Sequence, residues 1–201
     1  MSKIFISLFL ILLSFSSWSA DLPKIAKLFK NTFWTIYQER YCGRNIESFS
    51  TQALEEKINM RGAYIMEIRN AGFDTFGMVA SLNAREAGRL YTPERSEPPF
   101  RLPGESNWYF HAVLLADGVV HDYDFGNSAE PIPMKQYFEK MFIPTDRMSD
   151  IKYKKKKIGA YEISLYPVED YLTAKTERRS VKEIATTYEE RLERHSPELF
   201  K

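Results

Sequence analysis

Residues 108–125 read WYFHAVLLADGVVHDYDF, and they decide the fold. Two runs of aromatic and aliphatic residues flank the dipeptide Asp117-Gly118. Asp-Gly between two apolar runs is among the strongest short-range signals of a β-hairpin with a two-residue turn. The stretch therefore predicts two antiparallel strands, Trp108 to Ala116 and Val119 to Phe125, joined by this turn.

The register of that hairpin brings a histidine and two aspartates to one face. With a turn at Asp117-Gly118, His111 lies opposite Asp124, and Asp122 is its diagonal neighbour. Because side chains alternate along a strand, all three project from the same face of the sheet. The ideal register favours Asp124 as the partner of the imidazole, but a one-residue bulge would favour Asp122. The choice between the two carboxylates therefore stays open at this point.

The rest of the chain predicts helices and strands in one α+β domain. Apolar residues in 22–39 recur at helical spacing, and a second helix follows from Ile46 to Asn59, so that Cys42 lies near a helix N-terminus. Residues 84–106 contain four prolines and are predicted to form a long loop. The other predicted strands are 63–68, 72–79, 151–153 and 158–166, and the other predicted helices are 133–142, 168–175 and 180–194. We expect the N-terminal helices to pack on an antiparallel sheet.

The first twenty residues have the pattern of a secretory signal peptide. Lys3 precedes an apolar run from Ile4 to Leu13, and a serine-rich stretch ends at Ser19-Ala20. The apolar run is too short for a transmembrane helix, which needs about 20 residues. We therefore expect cleavage after Ser19 or Ala20, a single mature domain over residues 21–201, no integral membrane segment after cleavage, and a secreted or periplasmic location.

Charge and cysteine content narrow the classes of function. The chain has 28 basic and 27 acidic residues, and Lys3 lies in the expected signal, so the mature chain has no net charge. This balance gives no reason to expect a nucleic-acid partner. Cys42 is the single cysteine. It is therefore a small buried hydrophobe, an intermolecular link or a reactive thiol.

The neighbourhood predicted for Cys42 favours a reactive thiol. A helix N-terminus stabilises a thiolate, an imidazole such as His111 takes its proton, and a carboxylate orients that imidazole. Of the other histidines, His121 faces away from His111, and His195 lies in a charged tail. The competing interpretation is structural, with Cys42 in the core and His111 hydrogen-bonded to Asp124. The order Cys, His, Asp is shared by papain-like, transglutaminase-like and acetyltransferase-like enzymes.

Several short motifs in the same order resemble one enzyme family, the protein N-terminal glutamine amidohydrolases. The resemblance extends from about Tyr41 to Ser180, and it is loose between Ile46 and Trp108. The matching motifs are Tyr41-Cys42-x-x-Asn45-Ile46, Trp108-x-Phe110-His111-Ala112-Val113, Asp122-x-Asp124, Pro131-x-Pro133, Tyr137-Phe138-Glu139 and Pro167-x-x-x-Tyr171-Leu172.

The resemblance implies a papain-like fold that converts an N-terminal glutamine to glutamate and ammonia, without cofactor or metal. By position, Cys42 matches the nucleophile, His111 the base and Asp122 the orienting acid. We expect Asn45, Trp108 and Asp124 to contact the substrate. The ordinary alternatives are that Asn45 caps the helix or braces the nucleophile loop, and that Trp108 is a structural aromatic.

Two departures from the family put the substrate in question. Family members are intracellular, whereas this chain carries an export signal, and a charged segment replaces the family's C-terminal part after Ser180. The expected partner is therefore a protein or peptide with an N-terminal or an internal glutamine. A transglutaminase, a cysteine protease and a non-catalytic secreted binding module remain alternatives.

Overall fold

The computed structural model describes residues 19–38, 41–71, 79–81, 106–108, 110–125, 130–142, 152–153, 156–157 and 160–190. The helices are α1 (Leu22–Asn31), α2 (Phe33–Ile36), α3 (Cys42–Glu55), α4 (Met134–Met141) and α5 (Val168–Thr176), with a 3₁₀ helix at Val181–Ile184. The strands are β1 (Ala63–Asn70), β2 (Val79–Ser81), β3 (Ser106–Trp108), β4 (His111–Ala116), β5 (Val119–His121), β6 (Ile132–Pro133), β7 (Lys152–Tyr153), β8 (Lys156–Lys157), β9 (Tyr161–Pro167) and β10 (Thr186–Glu190).

Six of these strands form one antiparallel sheet in the order β10-β9-β1-β4-β5-β6. The strands β2 and β3 pair with each other, and so do β7 and β8. This arrangement confirms the predicted combination of helices with an antiparallel sheet. The long central strands β1, β4 and β9 carry alternating or continuous buried positions, because helices cover the sheet on both faces.

The hairpin turn is confirmed, and its second strand is shorter than predicted. Asp117 and Gly118 have φ values of 46° and 76°, as a type I′ turn requires, and Leu114 pairs with His121 in the predicted register. However, β5 ends at His121, and the chain turns at once, with the Phe125 N–H donating to the Asp122 carbonyl oxygen at 3.3 Å. The predicted strand to Phe125 is therefore wrong.

The start of the first hairpin strand also differs from the prediction. The predicted strand from Trp108 to Ala116 is divided, because Ser106–Trp108 pairs with Val79–Ser81 in a separate two-stranded sheet. Only His111–Ala116 belongs to the six-stranded sheet, where it pairs with β1. His111 is therefore the first residue of β4, next to the point where the chain leaves the main sheet.

Each face of the sheet has its own hydrophobic core. On one face, α1, α2, α3 and α5 bury aromatic and aliphatic residues, among them Phe29, Phe49 and Leu114. On the other face, α4 covers a second cluster that includes Tyr137 and Phe142. By strand alternation, His111 belongs to the face that α4 covers, and Asp122, in the turn after β5, reaches the same face through its hydrogen bond with Tyr137. His111 and Asp122 thus lie on a buried surface rather than on a solvated one.

The N-terminal helix predicted over 22–39 is two helices that meet at Thr32. The Thr32 hydroxyl lies 2.8 Å from the Leu28 carbonyl oxygen and 2.9 Å from the Tyr123 hydroxyl. A side chain that hydrogen-bonds to its own preceding turn bends or ends a helix. The break turns the chain toward α3, so that Tyr37 reaches the residues after β5.

The helix predicted over 180–194 is wrong. After the 3₁₀ helix, residues Thr186–Glu190 form β10, which pairs with β9 at the edge of the sheet. Two threonines and a tyrosine in this segment favour a strand. The Thr187 hydroxyl lies 2.9 Å from that of Ser164, and Tyr188 packs on the core. Tertiary pairing therefore overrides the charged, helix-like pattern of the sequence.

Some predictions fall outside the described residues. They are residues 1–18 of the signal peptide predicted over 1–20, most of the strand at 72–79, the loop at 84–106 except its last residue, and the segment after Glu190. The single-domain boundary over 21–201 also stays a prediction. Within the parts of the chain that the structure describes, no helix has the length and apolar character that crossing a bilayer requires.

His121 makes the stability of the fold depend on pH. Its ring is buried, and the ring centroid lies 5.3 Å from that of Phe29. Neither ring nitrogen has a hydrogen-bond partner among the described residues. Burial lowers the pKa of His121 to about 4. The unfolded chain therefore binds more protons than the native protein between about pH 6.5 and pH 4. The contribution of His121 to the free energy of unfolding is fully present above about pH 6.5 and decreases as the pH falls toward about 4.

When the pH falls from about 7 to about 5, we expect the burial of neutral His121 to lower the free energy of unfolding by about 2 kcal/mol. Urea unfolding of the wild type and of His121→Leu at both pH values measures this effect. The variant should lose about 2 kcal/mol less than the wild type between the two conditions. An equal pH dependence in both proteins contradicts the expectation.

Candidate active site

Cys42 is the first residue of α3, the helix that packs on β4. Its side chain is 9 % exposed, and Sγ lies 3.9 Å from the Phe110 carbonyl oxygen. The first N–H groups of a helix have no partner within the helix, and the helix dipole adds partial positive charge there. This position confirms the expected helix N-terminus, where unpaired backbone N–H groups can stabilise negative charge.

Asn45 braces the chain that leads to Cys42. Its Nδ2 donates to the Gln38 carbonyl oxygen at 2.8 Å, and its Oδ1 accepts the Gln38 N–H at 3.0 Å. The side chain does not cap α3, so the capping interpretation is wrong. Because both polar ends already bind backbone, the geometry favours the bracing interpretation over the expected contact with substrate. Gln38, in turn, is held through its backbone.

Trp108 lies at the end of β3, where it pairs with Val79. Its backbone is two residues before Phe110, whose carbonyl faces Cys42. Its side chain is outside the described part of the structure, so its expected contact with substrate stays a prediction.

His111 and Asp122 form a buried hydrogen-bonded pair. His111 Nε2 lies 2.9 Å from Asp122 Oδ2, and the two residues are 0 % and 2 % exposed. The turn after His121 produces this contact, since it carries Asp122 toward the start of β4. The Asp124 N–H donates to Asp122 Oδ1 at 2.8 Å, which fixes the carboxylate in the turn. The ideal-register preference for Asp124 is therefore not what the structure shows.

Tyr137 is a third member of this network that the residue pattern alone did not single out. Its hydroxyl donates to Asp122 Oδ2 at 2.8 Å, the same oxygen that lies beside His111. Burial raises the pKa of Tyr137 well above its ordinary value, and the charge of Asp122 raises it further. The phenol therefore stays a proton donor. The available signal was its place on the first turn of α4, in the motif Tyr137-Phe138-Glu139.

Asp124 is held from the opposite face of the sheet. The Tyr37 hydroxyl donates to Asp124 Oδ1 at 2.7 Å, and Asp124 is buried. One oxygen or nitrogen from each of His111, Asp122 and Asp124 lies within 4.8 Å of the others, and these atom types could ligate a metal ion. Hydrogen bonds already engage both oxygens of Asp122 and one of Asp124, which favours a proton-binding network over a metal site.

The electrostatics of the pair favour an imidazolium beside a carboxylate. Burial lowers the pKa of His111, but the charge and hydrogen bond of Asp122, followed by those of Cys42, outweigh it and raise the pKa well above its ordinary value. Burial raises the pKa of Asp122, but His111, the Asp124 N–H and Tyr137 outweigh it and lower the pKa. Cys42 and Asp122 thus both raise the pKa of the same imidazole.

Tyr137→Phe tests the coupling between this network and the imidazole. Tyr137 and His111 bind the same oxygen of Asp122, so loss of the hydroxyl leaves more of the carboxylate charge to stabilise the imidazolium. We expect the pKa of His111 to rise, and the alkaline limb of any activity that needs the imidazolium to move to higher pH. The maximal rate should fall about 3- to 10-fold, because only one bond to the orienting acid is lost. An unchanged alkaline limb in the pH–rate profile contradicts this coupling.

The arrangement supplies the three chemical groups that nucleophilic catalysis needs: a thiol, a base and a carboxylate that orients the base. Cys42 lies on one element, His111 begins another, and Asp122 follows a third, so the chemistry depends on the tertiary fold. Neither a scan against protein-family models nor a search of curated proteins gave a match for this chain.

Proposed function

We propose that this protein is a cysteine amidohydrolase that deamidates glutamine side chains of a protein or peptide. The observation that carries the proposal is the buried His111–Asp122 pair at 2.9 Å, acted on by a cysteine at a helix N-terminus. Its agreement with the order of the motifs that resemble N-terminal glutamine amidohydrolases adds the substrate class. Cys42, His111 and Asp122 are the proposed nucleophile, base and orienting acid.

We propose that the fold is of the papain-like type. A helix that begins with the nucleophile packs on the strand that carries the base, and the acid follows the adjacent strand. This order of elements supports the papain-like assignment over other antiparallel α+β folds. The same elements also support a transglutaminase-like relative, which differs in the group that receives the acyl chain.

The first half of the proposed reaction forms a thioester. The Cys42 sulfur, whose proton His111 holds as an imidazolium, attacks the carbon of the glutamine carboxamide. The carbonyl oxygen gains the negative charge, which the Cys42 backbone N–H at the helix start stabilises. The imidazolium then gives its proton to the amide nitrogen, the C–N bond breaks, and ammonia leaves.

The second half hydrolyses the thioester. His111 takes a proton from water, and the resulting hydroxide attacks the thioester carbon. The C–S bond breaks, the sulfur regains its charge or a proton, and glutamate is the product. Asp122 stabilises the imidazolium in both halves without changing its own protonation. The water supplies the oxygen of the new carboxylate, so the reaction is complete without a cofactor.

Mass spectrometry of peptides with acetylated, free N-terminal and internal glutamine tests this function. A mass gain of about one unit, with stoichiometric ammonia, marks conversion of an amide to an acid. We expect this gain on at least one glutamine position. Crosslinked peptides indicate a transglutaminase, cleaved chains indicate a protease, and no reaction with any peptide supports a secreted binding module. Each of these results overturns the proposal.

We propose further that the protein acts outside the cytoplasm. The sequence of residues 1–20 carries this part of the proposal. N-terminal sequencing of protein recovered from the periplasm or the medium should give a chain that begins at Ala20 or Asp21. A chain that begins at Met1 and stays with the cells contradicts it.

A further inference from the structure

Asn70 is a buried carboxamide at the end of β1. It is 0 % exposed, and neither its Oδ1 nor its Nδ2 has a hydrogen-bond partner among the residues that the structure describes. Buried polar groups without partners destabilise a fold, so native proteins keep few of them. Its backbone is well held, since Asn70 pairs with Tyr161 and the next N–H donates to the Ala160 carbonyl oxygen at 3.0 Å. The backbone of Asn70 is therefore fixed, and both bonding groups of its side chain are unused within the described part of the chain.

The register of the sheet places Asn70 beside His111. Ile68 pairs directly with His111, and Asn70 is two residues further along the same strand. Asn70 therefore projects from the same face as His111 and is its diagonal neighbour. On the other side, the paired Tyr161 packs against Phe142, whose ring centroid is 6.4 Å from that of His111. Asn70 and His111 thus share one buried environment.

The spacing and chemistry of this pair suit a primary carboxamide. Diagonal neighbours on a sheet are separated by about 7–8 Å, within reach of long side chains, so one bound group can contact both Asn70 and His111. A carboxamide offers one acceptor and two donors, and so does the side chain of glutamine. The two groups can therefore form a reciprocal pair of hydrogen bonds. The glutamate side chain of the product has no N–H group that could donate a hydrogen bond to Asn70 Oδ1.

We propose that Asn70 binds the reacting carboxamide of the substrate, an inference that rests on the proposed deamidation. Its Nδ2–H donates to the carbonyl oxygen and stabilises the charge that develops there after attack by Cys42. Its Oδ1 accepts an N–H of the amide nitrogen and turns that nitrogen toward the imidazolium of His111. This role accounts for a buried carboxamide that has no hydrogen-bond partner among the described residues.

Asn70→Leu tests the proposal because it predicts opposite changes in stability and activity. Removing two unpartnered buried groups in favour of an apolar side chain of similar shape should raise Tm by about 3–6 °C. Loss of a donor to the oxyanion should lower kcat about 100-fold. Asn45→Leu is the matched control, since Asn45 is a buried asparagine whose bonds to Gln38 are made. That variant should lower Tm.

A second variant separates substrate binding from a role through the imidazole. Asn70→Ala removes the amide without adding bulk, and it should also lose about 100-fold in kcat. Its pH–rate profile should keep the alkaline limb of the wild type, unlike that of Tyr137→Phe.

The outcomes distinguish this inference from the proposed function. If the wild type releases ammonia and both Asn70 variants keep its kcat, the role of Asn70 is wrong, and the deamidation stands. A fall in Tm for Asn70→Leu as large as that for Asn45→Leu shows a structural asparagine and also overturns the inference. If the wild type releases no ammonia from any glutaminyl peptide, both proposals are overturned together.

Discussion

We expect Cys42→Ala to lower ammonia release from a glutaminyl peptide by at least about 10⁴-fold, because the variant has no atom that can form the thioester. The side chain is small, and the start of α3 has no side-chain cap hydrogen bond that the substitution could remove. Tm should therefore stay within about 2 °C of the wild-type value. Steady-state ammonia assays and thermal unfolding of the same preparations measure the two quantities.

Cys42→Ser provides the matched control for this prediction. It keeps the shape of the residue and a hydroxyl, so it isolates the nucleophilicity of sulfur from its packing. We expect it to be almost as inactive as Cys42→Ala, since a hydroxyl is the weaker nucleophile. If Cys42→Ala kept the wild-type rate, the thiol would be a core residue, and the structural interpretation of Cys42 would hold.

Asp122→Asn should lower kcat about 10⁴-fold while leaving the shape of the network intact. An amide cannot stabilise the imidazolium, and its NH₂ group favours the wrong tautomer of His111. The loss of the negative charge also removes the main influence that raises the pKa of His111. The alkaline limb of the residual activity should therefore move to lower pH, which a pH–rate profile measures.

Asp124→Asn is the control that decides between the two carboxylates. Asp124 contributes its backbone N–H to Asp122, while its Oδ1 accepts the Tyr37 hydroxyl. The substitution keeps that backbone donor, so we expect a loss at least about 100-fold smaller than for Asp122→Asn. A larger loss for Asp124→Asn than for Asp122→Asn contradicts the assigned orienting acid.

The local features of the fold could be predicted from the sequence because interactions between residues close together in the chain specify them. Asp117-Gly118 is sufficient for a type I′ turn, and the turn fixes the pairing of Leu114 with His121. The position of Cys42 near a helix start follows from the interruption of the helical pattern. The turn that ends β5 was not readable, because it depends on bonds that Asp122 makes with distant residues.

The missed features depend on tertiary contacts. Tyr137 and Tyr37 are ordinary aromatics in sequence, and only the folded chain brings their hydroxyls to two neighbouring aspartates. The C-terminal strand resembles a charged helix until β9 offers it an edge to pair with. Asn70 has no sequence signal at all, since its significance is the absence of partners among the described residues. The chemical groups of the site could therefore be predicted from the sequence, whereas the contacts that surround them could not.

The most direct test of the account is the pH dependence of Cys42 alkylation by iodoacetamide, which requires no knowledge of the natural substrate. We predict that, at mildly acidic and neutral pH, Cys42 reacts at least about 10-fold faster than the cysteine of an unstructured peptide. We also predict that His111→Gln abolishes this advantage and that Asp122→Asn reduces it. Alkylation no faster than that of the peptide, and insensitive to both substitutions, would contradict an activated thiol at this site.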